Sequence, residues 1–421
     1  MKLVVVGGGS TYTPELVDGI ARLADAVVSE LVLVDPDAGR LGVVGPFCAR
    51  MLARYGSQIA LRWTDDLDEA ADGAGGAILQ LRVGGQATRQ RDETWPLEYG
   101  CIGQETTGAG GLAKALRTVP VVLDVADRIR RRAQPGAWII DFTNPVGIVT
   151  RALLDAGHRA IGLCNVAIGN QRLFASLLGV DPGQVALDHV GLNHLTWERA
   201  ALVDGEDQLP ALLADRGPEA AEGTDLPLTA GGSSLAVPSS YLRYYWAHDK
   251  VLAEQQHAEQ TRAQVVAGIE AELLALYSDP ALDTKPELLA RRGGAFYSEA
   301  AVELVHALAR DDSSRLVVNL RNNGTLPFLP AEAVIEVPAM VGAEGPAAVA
   351  LDPVTPTMRG LIAHVSGYEE LAVDAATRGG RDRVAAALLA HPLIGQSELA
   401  GRLADRLVAE NAAFLPWAVA G

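Results

Sequence analysis

The sequence has few cysteines, few aromatic residues and no long apolar run. Its three cysteines, Cys48, Cys101 and Cys164, are odd in number and widely spaced, which argues against a disulfide framework and suits a reducing compartment. No apolar run approaches the roughly 18 residues that a membrane span needs. The apolar start of the chain also turns into glycines too early for a signal peptide. We therefore expect a soluble, cytoplasmic protein.

Basic residues are scarce as well. Lys and Arg number 35 against 52 Asp and Glu, giving a formal net charge of −17. Such a charge repels phosphodiester backbones and anionic lipid, which excludes nucleic acid and membrane surfaces as partners and leaves small molecules. An anionic ligand would need local arginines. The 421 residues, 49% of them hydrophobic, can bury a large core divided into two or three lobes.

A glycine-rich loop follows the first apolar run. Residues 3–6 have the composition of a buried parallel strand, and Gly7-Gly-Gly-Ser-Thr-Tyr-Thr-Pro-Glu-Leu comes next. Thr13 can cap the helix that Pro14 then enters, and the helix N-terminus favours a pyrophosphate. A second strand over 30–34 ends at Asp35, where a carboxylate would bind a ribose 2′-hydroxyl and so favour NAD. The cofactor-binding residues we predict are Gly7, Gly9, Ser10, Thr11 and Asp35.

Strands and helices alternate through the first half of the chain. Further strands are predicted at 59–64, 76–81, 137–141 and 160–163, with helical periods at 39–55 and 112–133. This alternation predicts a doubly wound parallel sheet, in which ligands bind at the carboxyl ends of the strands. Three features follow such ends: Arg82-Val-Gly-Gly, Asn144-Pro145 and Cys164-Asn165.

Several candidate residues are ambiguous when each is considered by itself. Cys164 could be a small buried hydrophobe, His194 could have a structural partner, and Tyr241 could belong to the core. Glu105 is more suggestive, because it lies in a loop rich in glycine and threonine that can fold closely over a ligand. Spacing alone does not decide whether Cys164 and His194 bind a metal.

The alternation stops near Thr196, so we divide the chain at 1–195 and 196–421. Residues 204–238 are predicted to be an exposed excursion with a small helix, and 240–277 and 286–309 to be helical. A strand at 316–320 leads into a turn at Arg321-Asn-Asn-Gly. The last 65 residues are predicted to be helices rich in alanine and leucine, which favour a homo-oligomer.

Seven motifs occur together and in order: Gly7-Gly-Gly-Ser-Thr-Tyr-Thr-Pro-Glu-Leu, Gly103-Gln-Glu-Thr-Thr-Gly, Phe142-Thr-Asn-Pro, Gly162-Leu-Cys-Asn-Val, Gly191-Leu-Asn-His-Leu, Tyr241-Leu-Arg-Tyr-Tyr and Arg321-Asn-Asn-Gly. With them the chain resembles the family 4 glycoside hydrolases, most closely the 6-phospho-β-glucosidases. The resemblance implies an α/β fold like that of lactate and malate dehydrogenases. A Rossmann-like parallel sheet would bind NAD, and a mainly helical α+β domain would bind substrate and form a homodimer or homotetramer.

The resemblance also implies an unusual hydrolysis of 6-phospho-β-glucosides, an exception to the scheme with two carboxylates. NAD⁺ oxidises the sugar at C3, a tyrosine removes the C2 proton, and the aglycone leaves C1 by elimination. Water then adds, and NADH returns its hydride. The substrate would be a phosphorylated disaccharide or an aryl glycoside.

Roles for particular residues follow from the same resemblance. Cys164 and His194 match the ligands of Mn²⁺ or another divalent metal. Tyr241 matches the base, and Glu105 the position thought to increase its basicity. The residues that match substrate-contacting positions are Arg89, Asn144, Asn165 and Arg262. Asn165 stands where relatives acting on α-linked sugars have an Asp, which favours a β-glycoside and leaves the proton donor unassigned.

Three alternatives remain open from the sequence. The substrate could be an unphosphorylated or otherwise acidic glycoside, the chain could be a 2-hydroxy-acid dehydrogenase, or it could sense NAD without catalysis. If a phosphate is bound, Arg89, Arg262 and Arg292 are the candidates.

Overall fold

The structure is a computed structural model that describes residues 1–22, 27–221, 224, 226, 236–294, 296–311 and 313–418. Within these residues, thirteen strands join one sheet. They are β1 (Lys2–Val6), β2 (Glu30–Val34), β3 (Ala60–Thr64), β4 (Gly76–Leu79), β5 (Trp138–Asp141), β6 (Ala160–Gly162), β7 (Val185–Leu192), β8 (Leu195–Val203), β9 (Glu206–Asp207), β10 (Val237–Pro238), β11 (Ser314–Arg321), β12 (Val334–Gly342) and β13 (Gly345–Ala348).

Helices cover the sheet and form the C-terminal part of the chain. They are α1 (Thr13–Ala21), α2 (Ala38–Arg54), α3 (Leu67–Ala71), α4 (Gly85–Thr94), α5 (Gly108–Arg132), α6 (Val146–Asp155), α7 (Val166–Leu178), α8 (Leu209–Ala220), α9 (Arg243–Trp246), α10 (His248–His257), α11 (Arg262–Tyr277), α12 (Leu288–Arg292), α13 (Tyr297–Arg310), α14 (Pro356–Arg378), α15 (Arg381–Ala390) and α16 (Ser397–Asn411). None of the helices in the described part of the chain combines the length and apolarity of a membrane span.

Six parallel strands form the N-terminal half of the sheet. Their order is β3-β2-β1-β4-β5-β6, the doubly wound order in which ligands bind across the β1–β4 crevice. The prediction of a doubly wound parallel sheet is therefore confirmed. Residues 3–6 and 31–34 are uninterrupted apolar runs, and all of them are buried because helices cover both faces of these strands.

The second half of the sheet is antiparallel and extends from β6. The order continues β11-β12-β7-β8-β10. Only the strand at 316–320 was predicted in this half, where β11 covers Ser314–Arg321. The strands β7, β8 and β12 were missed because buried polar residues, such as His189 and Glu336, interrupt their apolar pattern.

Two predicted helical stretches are interrupted. The stretch from 240 to 277 is a short 3-10 helix followed by three α-helices, of which α11 begins after Thr261, whose side chain caps it. The stretch from 286 to 309 breaks at Gly293 and Gly294, where φ values of +94° and +88° are incompatible with a right-handed helix. The prediction that Thr13 caps α1 was wrong by one residue, since Tyr12 is the N-cap.

Three further expectations concern particular regions. The prediction that the last 65 residues are largely helical is confirmed by α14, α15 and α16 as far as residue 418, while 419–421 lie outside the described residues. The excursion at 204–238 contains β9, α8 and β10, while 222, 223, 225 and 227–235 lie outside the described residues. The proposed division at residue 195 lies at the first residue of β8, directly after the turn from β7, and stays a prediction.

Candidate active site

The glycine loop connects β1 to α1 at the crevice of the parallel sheet. Gly7 has φ +89°, and a Cβ on it would lie 2.6 Å from the Gln80 carbonyl oxygen. The Gly9 N–H donates to Asp35 Oδ2 at 3.0 Å, and a Cβ on Gly9 would come equally close to that carboxylate. The contact with the Gln80 carbonyl requires glycine at position 7, and a side chain at position 9 would crowd the Asp35 carboxylate. The loop therefore leaves a cradle for a dinucleotide, with the Asp35 carboxylate beside it.

A cavity of about 1000 Å³ extends from this loop to the start of α11. It brings together most of the residues predicted for the site, although they come from distant parts of the sequence. The predicted residues that line it are Gly7, Ser10, Asp35, Arg89, Glu105, Asn144, Asn165, His194, Tyr241 and Arg262. Gly9, Thr11 and Cys164 are not among its lining residues.

Three cations hold the Glu105 carboxylate. Lys114 Nζ lies 2.7 Å from Glu105 Oε2, Arg89 Nε lies 3.2 Å from Glu105 Oε1, and Arg82 donates to the same carboxylate. Burial raises the pKa of Glu105, but Arg82, Lys114 and Arg89 outweigh burial and hold that pKa well below its usual value. Burial also lowers the pKa of Lys114 to about 8. Glu105 is thus a fixed anion, too weak a base to accept a proton itself.

Arg89 and Arg262 lie close to one another at the end of the cavity that α11 borders. Arg262 is the first residue of α11, and its Nη2 donates to the carbonyls of Arg291 and Arg292 at 3.1 Å. Partial burial lowers the pKa of Arg262, and the positive charge of Arg89 lowers it further. Two neighbouring cations beside a helix N-terminus form a suitable site for an anion.

Arg292 lies next to the glycine loop instead. Its Nε donates to Thr11 Oγ1 at 2.7 Å, and its Nη2 lies 3.0 Å from Glu270 Oε1 and 3.4 Å from Ser10 Oγ. Its charge is therefore paired with Glu270, and its position is on the cofactor side of the cavity.

His194 lies in the tight turn between β7 and β8, with φ +61°. Its Nδ1 is 3.0 Å from the Thr106 hydroxyl oxygen, which leaves Nε2 as the nitrogen available to a ligand. Burial lowers the pKa of His194 to about 4, so the imidazole is neutral at physiological pH. A neutral imidazole with one nitrogen oriented by a hydroxyl is the form that binds metals.

Tyr241 stacks on His194. The ring centroids are 3.7 Å apart, and the planes are 5° from parallel. Burial raises the pKa of the Tyr241 phenol, with further increases from Cys164, Tyr244 and Glu105. The phenol is therefore a strong base once ionised, but it needs positive charge nearby to lose its proton near neutrality.

Cys164 is buried two residues beyond the end of β6. The Val166 N–H, the Asn193 side chain and the Tyr297 hydroxyl hydrogen-bond to its sulfur. Burial nevertheless raises the pKa of the thiol. Cys164 lines a second cavity of about 150 Å³ between α7, α13 and β11, whereas its contact Tyr297 lines the large cavity.

The donor set fits a metal that is only partly coordinated by protein. Among the described residues, no group of three or more His, Cys, Asp or Glu side chains converges as a metal cage. Cys164 and His194 would supply two ligands, and several positions would stay open to substrate oxygens or water. Asn144 Oδ1, a buried atom without a hydrogen-bond partner in the described structure, also lines the cavity. Such an acceptor is suited to a ligand hydroxyl.

Sequence reasoning missed Lys114, Thr106 and Tyr297. Lys114 lies within Gly110-Gly-Leu-Ala-Lys-Ala-Leu, in a segment predicted to be helical, and its apolar neighbours indicate burial but not a contact with Glu105. Thr106 lies inside the Gly103-Gln-Glu-Thr-Thr-Gly motif. Tyr297 had no local signal, since its contact with Cys164 depends on the break at Gly293 and Gly294.

Two models of one protein family match the chain. The model described as family 4 glycosyl hydrolase matches residues 2–180, and the one for the C-terminal domain of that family matches residues 189–394. A Bacillus subtilis (strain 168) protein named as a probable 6-phospho-beta-glucosidase is 37% identical, over 99% of this chain and 97% of its own length. The 6-phospho-beta-glucosidase of Escherichia coli (strain K12) is 36% identical, over 99% of this chain and 96% of its own.

Solved structures are similar over the whole chain. The 6-phospho-beta glucosidase from Thermotoga maritima, solved with manganese, NAD⁺ and glucose-6-phosphate, has a TM-score of 0.91 at 32% identity and covers 99% of both chains. Malate dehydrogenase from Salinibacter ruber has a TM-score of 0.52 at 17% identity, over 90% of this chain and 98% of its own. That second likeness concerns the fold alone, and it confirms the dehydrogenase-like fold that the sequence predicted.

Proposed function

The chain belongs to family 4 of the glycosyl hydrolases, and from this we propose that it hydrolyses 6-phospho-β-glucosides with NAD and a divalent metal such as Mn²⁺. One observation carries the proposal. A single cavity brings the glycine loop, the Arg89–Arg262 pair and the His194–Tyr241 stack together. Those groups suit a dinucleotide, a phosphate and a proton transfer beside a metal.

Arg89 and Arg262 would bind the 6-phosphate. Four cations, Arg82, Arg89, Lys114 and Arg262, face the carboxylates of Glu93 and Glu105 at this end of the site. This local positive excess attracts an anion although the whole chain carries a charge of −17. Arg292 is paired with Glu270 and would act on the cofactor side instead.

The other residues would hold the cofactor and metal and move one proton. Asp35 would orient the adenosine ribose, and Gly7, Gly9, Ser10 and Thr11 would surround the pyrophosphate. Cys164 and His194 would hold the metal, with Asn144 binding a sugar hydroxyl. When bound, NAD would exchange a hydride with C3, and the metal would polarise the neighbouring sugar oxygens.

Tyr241 would accept the proton from C2. Its ring is fixed by stacking on His194. Burial raises the pKa of the phenol, and Glu105, which lines the same cavity, raises it further. The positive charge of a bound metal would oppose the effect of burial and allow the phenol to ionise. Asn165, directly after Cys164, favours the β-anomer.

We further propose a cytoplasmic homodimer or homotetramer that acts on a phosphorylated disaccharide or an aryl glycoside. All three cysteines are unpaired and buried, which is consistent with a reducing compartment. The helices α14, α15 and α16 supply the surface through which subunits would meet.

Nitrophenyl β-glucoside with and without a 6-phosphate tests the substrate assignment. The phosphorylated compound should be strongly preferred, and equal rates would contradict the role of Arg89 and Arg262. Turnover in D₂O should place deuterium at C2 without net NADH formation. Retention of the C2 hydrogen would exclude the proton transfer to Tyr241, and net NADH accumulation would indicate a dehydrogenase.

A further inference from the structure

A buried carboxylate, Glu336, lies close to the predicted metal ligands, Cys164 and His194. It belongs to β12, and its side chain is 1% exposed. Glu336 Oε2 accepts from Asn319 Nδ2 at 2.8 Å and from Asn193 Nδ2 at 3.1 Å, and Glu336 Oε1 lies 3.2 Å from His189 Nε2. No sequence motif pointed to this residue, and it does not line the large cavity.

His189 connects this carboxylate to a second one. Its Nδ1 lies 2.8 Å from Glu198 Oε1, so both ring nitrogens face carboxylates. Burial lowers the pKa of His189, but Glu198 and Glu336 outweigh burial and raise it to about 10. Because both nitrogens must donate, His189 is an imidazolium that fixes both carboxylates. Two carboxylates and one imidazolium together carry a net charge of −1.

The cluster touches the Cys164 segment from several directions. Asn193, which Glu336 orients, hydrogen-bonds to the Cys164 sulfur. Asn319 pairs with Gly162 at the end of β6. Asn170, on the helix that begins just after Cys164, donates to Glu198 Oε1 at 2.8 Å. The cluster of Glu198, His189 and Glu336 thus stabilises the position of the Cys164 sulfur and of the backbone on both sides of it.

We propose that His189 and Glu336 are positioning residues for the metal ligand Cys164, acting through Asn193. His189 holds Glu336, Glu336 orients the Asn193 amide, and that amide donates to the Cys164 sulfur. The negative cluster also favours a cation over an empty site. This inference rests on the proposed function, because it requires a metal bound at Cys164.

Residues that orient metal ligands are expected to change metal affinity by about 10- to 100-fold when replaced. His189→Gln removes the charge that holds Glu336, and Asn193→Ala removes the donor to sulfur without leaving an unpaired buried carboxylate. The second variant keeps the inference testable if the first does not fold. His158→Gln is the matched control, since His158 is also buried beside a carboxylate, Asp127, but belongs to another part of the fold.

The experiment titrates Mn²⁺ into the full-length protein loaded with NAD and follows free Mn²⁺ by electron paramagnetic resonance. Protein substituted with Co²⁺ gives a second readout, the sulfur-to-cobalt charge-transfer absorption. We expect His189→Gln and Asn193→Ala to weaken Mn²⁺ binding by about 10- to 100-fold and to shift that absorption. NAD affinity should stay unchanged, and His158→Gln should match the wild type.

Two results would overturn the inference, and they are distinguishable. If folded Asn193→Ala and His189→Gln bind Mn²⁺ as tightly as the wild type with the same cobalt absorption, the positioning role is wrong while the proposed function stands. If the wild type binds no Mn²⁺, or if Cys164→Ser leaves the cobalt absorption unchanged, the proposed metal site fails and the inference fails with it.

Discussion

Glu105 and Glu336 are buried carboxylates in two regions of the same site, and their surroundings are opposite in charge. Glu105 belongs to a cationic wall, formed with Arg82, Arg89 and Lys114. Glu336 belongs to an anionic floor, formed with Glu198 and His189. In the wall three cations surround one anion, whereas in the floor two anions surround one cation.

The difference shows how one acidic chain can bind both an anion and a cation. The excess positive charge of the cationic wall lies beside Arg262, where the phosphate is proposed to bind. The excess negative charge of the anionic floor lies beneath Cys164, where the metal is proposed to bind. Because buried charges interact more strongly than exposed ones, these local excesses outweigh the net charge of the surface.

The largest predicted effect concerns Tyr241, whose phenol is affected by the cationic wall and by Cys164. Burial raises the pKa of that phenol most, Cys164 and Glu105 raise it further, and Arg89 lowers it. Tyr241→Phe keeps the stacking on His194 but removes the proposed base, so kcat should fall by roughly 10²- to 10⁴-fold. Steady-state rates and C2 deuterium exchange measure the loss. Undiminished exchange in this variant would assign the base to another group.

The next effect tests the cationic wall. Arg89→Met or Arg262→Met removes a charged donor that is proposed to bind the phosphate, and the preference for a 6-phosphorylated substrate should fall about 10- to 150-fold. The ratio of kcat/KM for the two nitrophenyl glucosides measures this preference. Arg216→Met, which removes an exposed arginine paired with Glu219, is the control. An unchanged ratio in both wall variants would place the phosphate elsewhere.

The cationic wall could largely be predicted from the sequence, and the anionic floor could not. Arg89 and Glu105 follow a core strand of the parallel sheet, and such positions meet at one edge by the geometry of the fold. The alternation of strands and helices predicted only where Arg82 lies, whereas the resemblance to family 4 implied the roles of Arg89 and Glu105. Lys114 was missed because the contact of a helical lysine with Glu105 depends on how α5 packs.

The anionic floor combines residues from three strands that no local pattern connects. His189 and Glu198 face each other across the β7–β8 hairpin, and Glu336 comes from β12, far along the chain. Buried charges in these strands also disrupt the apolar alternation by which strands are recognised. The residues that form the floor are therefore the residues that prevented the prediction of β7, β8 and β12.

The smallest predicted effect is a difference in charge between two buried histidines of the β7–β8 hairpin. His189 belongs to the anionic floor, and His194 lies in the turn of the hairpin. His189 should stay protonated as the pH rises until about 10, and His194 should stay neutral as the pH falls until about 4. Both start from an ordinary pKa of 6.5. Nitrogen NMR shifts of the imidazole rings in metal-free protein, assigned with His189→Gln, report the two charge states directly.

The two shifts have opposite consequences for stability. The pKa of His189 is raised on folding, so its stabilising contribution is complete below about pH 6.5 and disappears as the pH rises through about 10. The pKa of His194 is lowered, so its contribution is complete above about pH 6.5 and disappears as the pH falls through about 4. If the NMR shifts show that His189 is neutral at pH 7, no cation pairs with Glu336. The cationic wall would then be held by ion pairs and the anionic floor by hydrogen bonds alone.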